Sequence, residues 1–392
     1  MAPLGPFCPL PALAVGVSGG PHSLALALLA RNWAAGQGGS VLGLVVDHGL
    51  RAESAAEAAW TAATLRQHEI PAEILTLALP GGAALQERAR EGRLAAMLRR
   101  CGEQGLPWLL LGQHRMDQAE TLLFRALRGS GPAGLAGMAG LRPAAEAAIL
   151  RPLLPLPPAR LEATLAVVGL VPLRDPSNAD PRFTRARLRE ALADPGGTGP
   201  AVAALEAAAS AFARRRATRV AAVAERLAAA VSLRPEGWAW VDAAVLGQDA
   251  VARAAMAGLL RLLSGTRHAP AAAAVAALLA RRQGTLHGVA WSGGVLCREG
   301  AACAPPVLAM PGILWDGRWR LAGAVPPDLV LGALGPGAGG LDRATRHGLP
   351  ARVLAGLPAL RDGETLVSVP ALCLGPTIRL DFAPAGGPFP DH

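Results

Sequence analysis

Residues Val17 to Ser23 read Val-Ser-Gly-Gly-Pro-His-Ser, after an apolar run, Ala12–Val17, and before a helix-forming stretch, Leu24–Ala30. Small residues between a strand and a helix let backbone N–H groups and a helix N-terminus converge on one point, which suits phosphate. A second polar cluster follows another apolar run. It reads Gly112-Gln-His-Arg-Met-Asp-Gln-Ala-Glu-Thr121 and continues to Arg128-Gly-Ser-Gly-Pro-Ala-Gly-Leu-Ala-Gly137. Asp117 at a helix cap with Glu120 three residues on makes a capping box. That leaves Gln113, His114 and Gln118 crowded beside it with no structural reason to be there. A third segment, Val45–Arg51, carries Asp47 and His48 at its end, with Glu53, Ser54 and Glu57 behind. An imidazole at such a place is suited to proton transfer near neutral pH.

The elements that must position these residues are legible as alternating patterns. Strands are expected at Ala12–Val17, Val41–Asp47, Ala72–Leu77 and Trp108–Gly112, and helices at His22–Ala35, Ser54–His68, Ala84–Arg100 and Asp117–Arg128. Strands alternating with helices of that length predict right-handed crossovers and an α/β fold with a doubly wound, mainly parallel sheet. Ligands of such sheets bind outside the carboxyl ends of the strands. The segments after Val17, Val46 and Gly112 all fall there.

Farther along, Pro152–Pro158 is a proline-rich connection into a helix at Ala159–Val168 and then Arg174-Asp-Pro-Ser-Asn178. Ala201–Val231 reads as one long helix with a basic patch at Arg214, Arg215, Arg216 and Arg219. Beyond Ser232 the texture changes: helices at Ala243–Leu263 and Pro270–Arg281, a hairpin at Gly284–Arg298, and strands at Ile313–Leu321 and Glu364–Leu374 in a poorly specified tail. Three parts are expected: a catalytic domain over 1–198, a helical linker over 199–232 and a C-terminal substrate-associated region over 233–392.

Composition narrows the class. The chain has 392 residues, 52% of them hydrophobic, enough for more than one core. The longest apolar stretch, Ala269–Ala280, is too short for a bilayer, and Met1–Leu13 lacks the pattern of a secretory signal, so a cytoplasmic protein is expected. The formal charge is +9, with no lysine and no tyrosine, so every basic side chain but histidine is arginine. Planar guanidinium groups suit phosphate contacts and base stacking. Cys8, Cys101, Cys297, Cys303 and Cys373 show neither a C-x-x-C pair nor zinc spacing and read as ordinary small residues.

Taken together, these segments resemble the tRNA(Ile)-lysidine synthase family over at least Ala12 to Arg189. Its S-G-G-x-D-S loop is similar to Ser18–Ser23, its G-H-H-x-D-D-Q-x-E-T to Gly112–Thr121, and its R-G-S-G-x-x-G-L-A-G-M to Arg128–Met138. Its H-H-G-L-R resembles Asp47–Arg51, and its E-x-x-A-R-x-x-R helix resembles Leu85–Arg93. Ile149–Leu154 and Asp175–Asn178, with Arg185, Arg187 and Arg189, match the segments leading into the family's tRNA-contacting part.

The resemblance implies a PP-loop ATP pyrophosphatase fold. The implied reaction uses ATP and Mg2+ to adenylate the wobble cytidine of a CAU-anticodon isoleucine tRNA, after which free L-lysine displaces AMP. It implies ATP binding by Ser18, Gly19, Gly20, Pro21, His22, Ser23 and Gly112, and catalytic roles for His48, Arg93, His114, Asp117 and Glu120. For tRNA it implies Arg128, Arg151, Arg174, Asn178, Arg185 and Arg189; for the metal, Asp117, with Asp47 as a second candidate. No membrane partner is expected, and a homodimer is common in such families.

Two of the family's aspartates are absent: His22 stands at one position and Met116 at the other. In one reading the site is rewired, with Asp47, Asp117 or Glu120 supplying the carboxylate. In another the chain binds tRNA but no longer adenylates; in a third, His22 contacts the phosphates itself. The retained loop and Arg128–Met138 segment favour the first. Thiolation enzymes of the same superfamily use cysteine pairs that this chain lacks, and amide-nitrogen synthetases need an ammonia-supplying domain for which there is no room.

Overall fold

A computed structural model describes residues 1–49, 53–77, 85–144, 146–174, 184–266 and 268–384, without the side chains of 2, 85–87, 133, 185 and 186. The chain forms two compact units, Met1–Arg216 and a second from Ala217 onward.

In the first unit the order is β1 (Ala12–Val17), α1 (Pro21–Ala35), β2 (Ser40–Asp47), α2 (Ser54–Gln67), β3 (Ala72–Thr76), α3 (Leu85–Gln104) and β4 (Trp108–Leu110). It continues with α4 (Arg115–Leu127), α5 (Pro132–Leu135), β5 (Leu141–Arg142), β6 (Ala148–Leu150), α6 (Pro158–Val167) and α7 (Thr184–Leu192). The six strands order as β3-β2-β1-β4-β6-β5, all parallel except β5. Parallel strands buried on both faces read as apolar runs, and β1 displays both sets. Leu13, Val15 and Val17 pack with α1, α2 and α6, while Ala14 faces α3 with Leu44, Leu109 and Ile149. Gly16 shares that second face, where a Cβ would lie 2.8 Å from Met97 Sδ. Val17 pairs with Val45 and Asp47 with Thr76, so the carboxyl ends of the central strands share one edge. The expected doubly wound, mainly parallel sheet is the one observed.

Helix α8 (Pro200–Ala230) runs across the division between the units. After it come β7 (Val231–Arg234), β8 (Trp238–Val241), α9 (Ala243–Leu246), α10 (Ala250–Ser264), α11 (Ala272–Arg281), β9 (Gly284–Leu286), β10 (Val289–Ser292) and β11 (Val295–Arg298). Then follow β12 (Val307–Leu308), β13 (Leu314–Trp315), β14 (Trp319–Ala322), β15 (Val330–Ala333), α12 (Ala351–Leu354), β16 (Pro358–Asp362), β17 (Thr365–Ser368) and β18 (Arg379–Phe382). They form antiparallel sheets ordered β7-β8-β11-β10-β9, β12-β15-β16-β17 and β13-β14-β18.

Here local reading was corrected. The single helix expected over Ala243–Leu263 is two, because Gly247 turns at φ +74° and Asp242 and Asp249 each cap a new start. The strand expected over Ile313–Leu321 is a hairpin turned at Asp316-Gly317, both at positive φ. The strand expected over Glu364–Leu374 stops at Ser368, where a short 3-10 turn at Pro370–Leu372 follows. Among the described residues no helix is long and apolar enough to cross a membrane.

Candidate functional site

The loop between β1 and α1 is held open by its own side chains. Ser18 N–H donates to Ser23 Oγ at 3.1 Å, and Ser23 Oγ–H donates to Gly20 C=O at 3.0 Å. Gly19 turns at φ +76°, and a Cβ there would meet Thr61 Oγ1 at 2.5 Å and Leu173 Cδ1 at 2.7 Å. Leu173 N–H also donates to Gly19 C=O at 3.0 Å, so the 170–174 segment closes the back of the loop. Nothing in the sequence marked Thr61 or Leu173, because they come from distant stretches. Gly20 is the extended N-cap of α1 and Pro21 its first residue, which leaves first-turn amides outside the helix ladder. Gly112 crosses close beneath: a Cβ on it would lie 3.2 Å from Ser23 Cα.

Helix α4 begins earlier than its sequence pattern implied. His114, not Asp117, is the N-cap, and Asp117 sits at the third helical position, where Oδ2 accepts from His114 N–H at 2.9 Å. The imidazole of His114 is thereby turned toward the loop, its ring centroid 4.0 Å from that of His22 with the planes at 72°. His114 Nε2 lies 3.5 Å from Asp117 Oδ2. Burial, then the neighbouring His114, pushes His22 down to about 4, and burial lowers His114 as well. Both rings are therefore neutral at physiological pH. Gln118 has a structural task after all. Its amide grips the backbone of Met138 on both sides, at 2.9 Å and 2.7 Å, while Arg125 donates to the carbonyls of Gly134 and Gly137. The 128–138 segment is thus folded onto α4.

Met116 does not face this constellation. It is 2% exposed and packs with Ala119, Val202, Leu192 and Leu205. Successive residues on a helix are about 100° apart, so His114 and Asp117 can flank the loop while Met116 turns into the core. Its side chain is a packing element in this chain.

Several expected site residues are engaged elsewhere. Asp47 Oδ1 accepts from Ser54 Oγ at 2.6 Å and Gly49 N–H at 3.0 Å, ordering the turn into α2. The Ser54 hydroxyl and then that amide hold its carboxyl below the usual range. His48 follows, half-buried, at the same strand edge. Glu120 is 1% exposed and pairs with Arg189 of α7, whose Nε and Nη2 lie 2.8 and 2.6 Å from Oε1. Arg93 lies on α3, which packs on the opposite face of the sheet from α1.

Of the arginines expected on tRNA, Arg128 is exposed and stacks over Phe124, and Arg174 is exposed and pairs with Glu162. Arg151 donates to Ala139 C=O, tying the 128–138 segment to β6. Asn178 and the Arg185 side chain lie outside the described residues.

A nucleotide's phosphates fit the loop: the positive-φ glycine, the missing Cβ at Gly112 and the N-terminus of α1 leave a cradle of backbone donors. Magnesium fits poorly. It is a hard ion that takes oxygen, and the loop offers an imidazole at 22, while Asp47 is spent on a turn and Glu120 on Arg189. Asp117 lies beside the loop with one oxygen already capping α4. No group of three His, Cys, Asp or Glu among the described residues is placed to hold a metal ion.

The chain resembles known proteins along most of its length. The PP-loop domain family matches residues 6–195. A tRNA(Ile)-lysidine synthase of Rhodopseudomonas palustris is 42% identical over 187 residues, 46% of this chain and 54% of the relative. One from Novosphingobium aromaticivorans is 43% identical over 180 residues, 45% of this chain and again 54% of the relative. The chain thus spans about half the length of these two curated relatives. A third relative of that name, from Ruegeria pomeroyi, is 34% identical over 379 residues, covering 91% of this chain and 88% of its own length. Among solved structures, a U34-tRNA thiolase of Methanococcus maripaludis superposes with a TM-score of 0.46 at 16% identity, over 54% of this chain and 74% of that one. With the Ruegeria relative aligned over 91% of this chain and 88% of its own length, the chain belongs to the tRNA(Ile)-lysidine synthase family.

Proposed function

We propose that the chain ligates free lysine onto the wobble cytidine of a CAU-anticodon isoleucine tRNA, in two steps at the loop between β1 and α1. The C2 carbonyl oxygen of the cytidine attacks the α-phosphorus of ATP and pyrophosphate leaves. The neutral ε-amine of lysine then attacks C2, AMP departs with that oxygen, and the amine loses a proton. A ring carbonyl is a poor electrophile until its oxygen becomes a leaving group, which is what adenylation supplies.

The observation that carries the reading is the cradle itself. A Cβ on Gly19 would collide with Thr61 and Leu173, and one on Gly112 would press on Ser23 in the first turn of α1. Oriented amides there hold pyrophosphate without reorganising. Ser18 and Ser23 keep the loop open, and His22 with His114 walls it with neutral imidazoles. Asp117 caps α4 by accepting from the His114 backbone N–H, and Glu120 with Arg189 fastens α7 to α4. Exposed Arg128 and Arg174 are assigned to tRNA phosphates. Residues 1–198 are assigned the chemistry, 199–232 a helical linker and 233–392 a tRNA-associated role. ATP, lysine and tRNA meet in the cytoplasm, the compartment this reading implies. The family's accompanying ion is magnesium, which the donors around this loop do not favour.

The test is lysine-dependent AMP release from ATP and a CAU-anticodon isoleucine tRNA, with lysidine scored in the digested product across several divalent cations. Lysidine formation is expected. Tight tRNA binding with no AMP under any cation would overturn the reading.

A further inference from the structure

The strap that follows α6 reaches the phosphate loop at one residue. Gly169 turns the chain out of the helix at φ +67°, Leu170 packs on the core of the first unit, and Leu173 N–H donates to Gly19 C=O at 3.0 Å. Arg174 then pairs with Glu162 of α6 at 2.9 Å, fastening the strap's far end. On its other side Gly19 lies against Thr61 of α2, which is 1% exposed and whose hydroxyl is fixed by donation to Glu57 C=O at 2.7 Å. Gly19 is thus held between α2 and the strap, although neither belongs to the loop.

The hydrogen bond from Leu173 decides where an amide points. A trans peptide carries its C=O and N–H on opposite sides. With the Gly19 carbonyl turned back to Leu173, the N–H of Gly20 points away from the strap. Gly20 stands in open space: among the described residues outside its chain neighbours, a Cβ on it would meet only Ser18 Oγ, at 3.6 Å. Few other donors are available in the loop, because Ser18 N–H is already given to Ser23 Oγ and Pro21 has none. The peptide between two glycines is also the one most easily turned over, since neither residue has a Cβ to oppose the change. Turned over, it would aim a carbonyl oxygen at a bound anion.

We infer that Leu173 is a positioning residue of the nucleotide site: its backbone N–H locks the Gly19–Gly20 peptide in the orientation that offers Gly20 N–H to the pyrophosphate portion of ATP. The inference rests on the ATP-binding reading above. Apparent affinity scales with the fraction of molecules already in the competent orientation, and one backbone hydrogen bond shifts such a balance about fivefold.

The experiment measures dissociation constants of ATP, inorganic pyrophosphate and AMP for the full-length chain and two variants. Leu173→Pro keeps an apolar side chain and removes the N–H; Leu173→Val keeps both. The expected result is ATP and pyrophosphate binding about fivefold weaker in Leu173→Pro, with AMP binding unchanged and wild-type values in Leu173→Val. A residue that merely supports the fold would weaken all three ligands together. Hydrogen exchange at the Leu173 amide of the unmodified chain gives a second reading. Its protection should rise about fivefold on saturation with pyrophosphate, because lock and ligand stabilise each other reciprocally. Undiminished pyrophosphate affinity in Leu173→Pro, an equal loss of AMP binding, or exchange indifferent to pyrophosphate would overturn the inference while leaving the ATP reading in place. If circular dichroism shows Leu173→Pro unfolded, the exchange measurement decides alone. An unmodified chain that binds neither ATP nor pyrophosphate would overturn both.

Discussion

Replacing Met116 with aspartate recreates, in sequence, the family's pair of acidic residues, and the structure predicts that it destabilises the first unit. The side chain is 2% exposed among Ala119, Val202, Leu192 and Leu205. Removing most of a buried methionine costs about 2–3 kcal/mol. A carboxyl group in that apolar setting stays protonated at pH 7 only if its pKa rises by about three units, which costs about 4 kcal/mol more. The net loss is about 6–7 kcal/mol, comparable with the whole stability of many domains.

With two compact units a single global transition is not assured, so the assay is urea-dependent hydrogen exchange resolved to peptides of α4 and of Pro200–Arg216. Met116→Asp should collapse protection in both, and Met116→Leu should retain it. A Met116→Asp protein within about 1 kcal/mol of wild type, or one binding ATP more tightly with magnesium, would refute the assignment of this residue to the core.

Other consequences follow from the same contacts. Gly112→Ala places a Cβ 3.2 Å from Ser23 Cα. Since its neighbour is the backbone of the first turn of α1, ATP affinity should fall about tenfold or more, a loss of ~1.4 kcal/mol; unchanged nucleotide affinity would count against the cradle. Arg189→Ala strips the pairing from buried Glu120 and should destabilise α4 by about 2 kcal/mol. A double-mutant cycle with Glu120→Gln should show coupling, and additive effects would dismiss the pair as incidental. Because His22 sits at about 4 in the folded chain against 6.5 when unfolded, the unfolded state binds protons more readily between these values. Stability of the first unit should therefore rise with pH across that window and level off above it, by about 3 kcal/mol in all. His22→Gln should flatten much of the slope, and an unchanged slope in that variant would show that other groups set it.

Four of the sheet's five parallel strands were readable locally, while the short β5 and β6 were not. Each of its long strands is an apolar run followed by a helix of the right length, and the β1–α1 loop declared itself through Gly19, Gly20 and Ser23. The C-terminal unit was not readable in the same way. Its short strands, such as Leu314–Trp315 and Trp319–Ala322, are defined by a turn at Asp316-Gly317 and by pairing with Arg379–Phe382, far away in the chain. Periodicity cannot report a partner sixty residues off.

What the sequence by itself determined is the phosphate loop, the order of strands and helices that presents it, and the family, because these depend on short-range patterns of small, apolar and capping residues. Which way each polar side chain points was decided only by the tertiary structure. A shift of the α4 cap from Asp117 to His114 rotates every residue after it, sending Met116 into the core and His114 against His22. Likewise Gln118 serves Met138, Asp47 serves Ser54 and Glu120 serves Arg189, pairings across loops and helices that no local pattern encodes. A residue's chemistry is written in its type, but whether it reaches a ligand depends on the packing that uses it first.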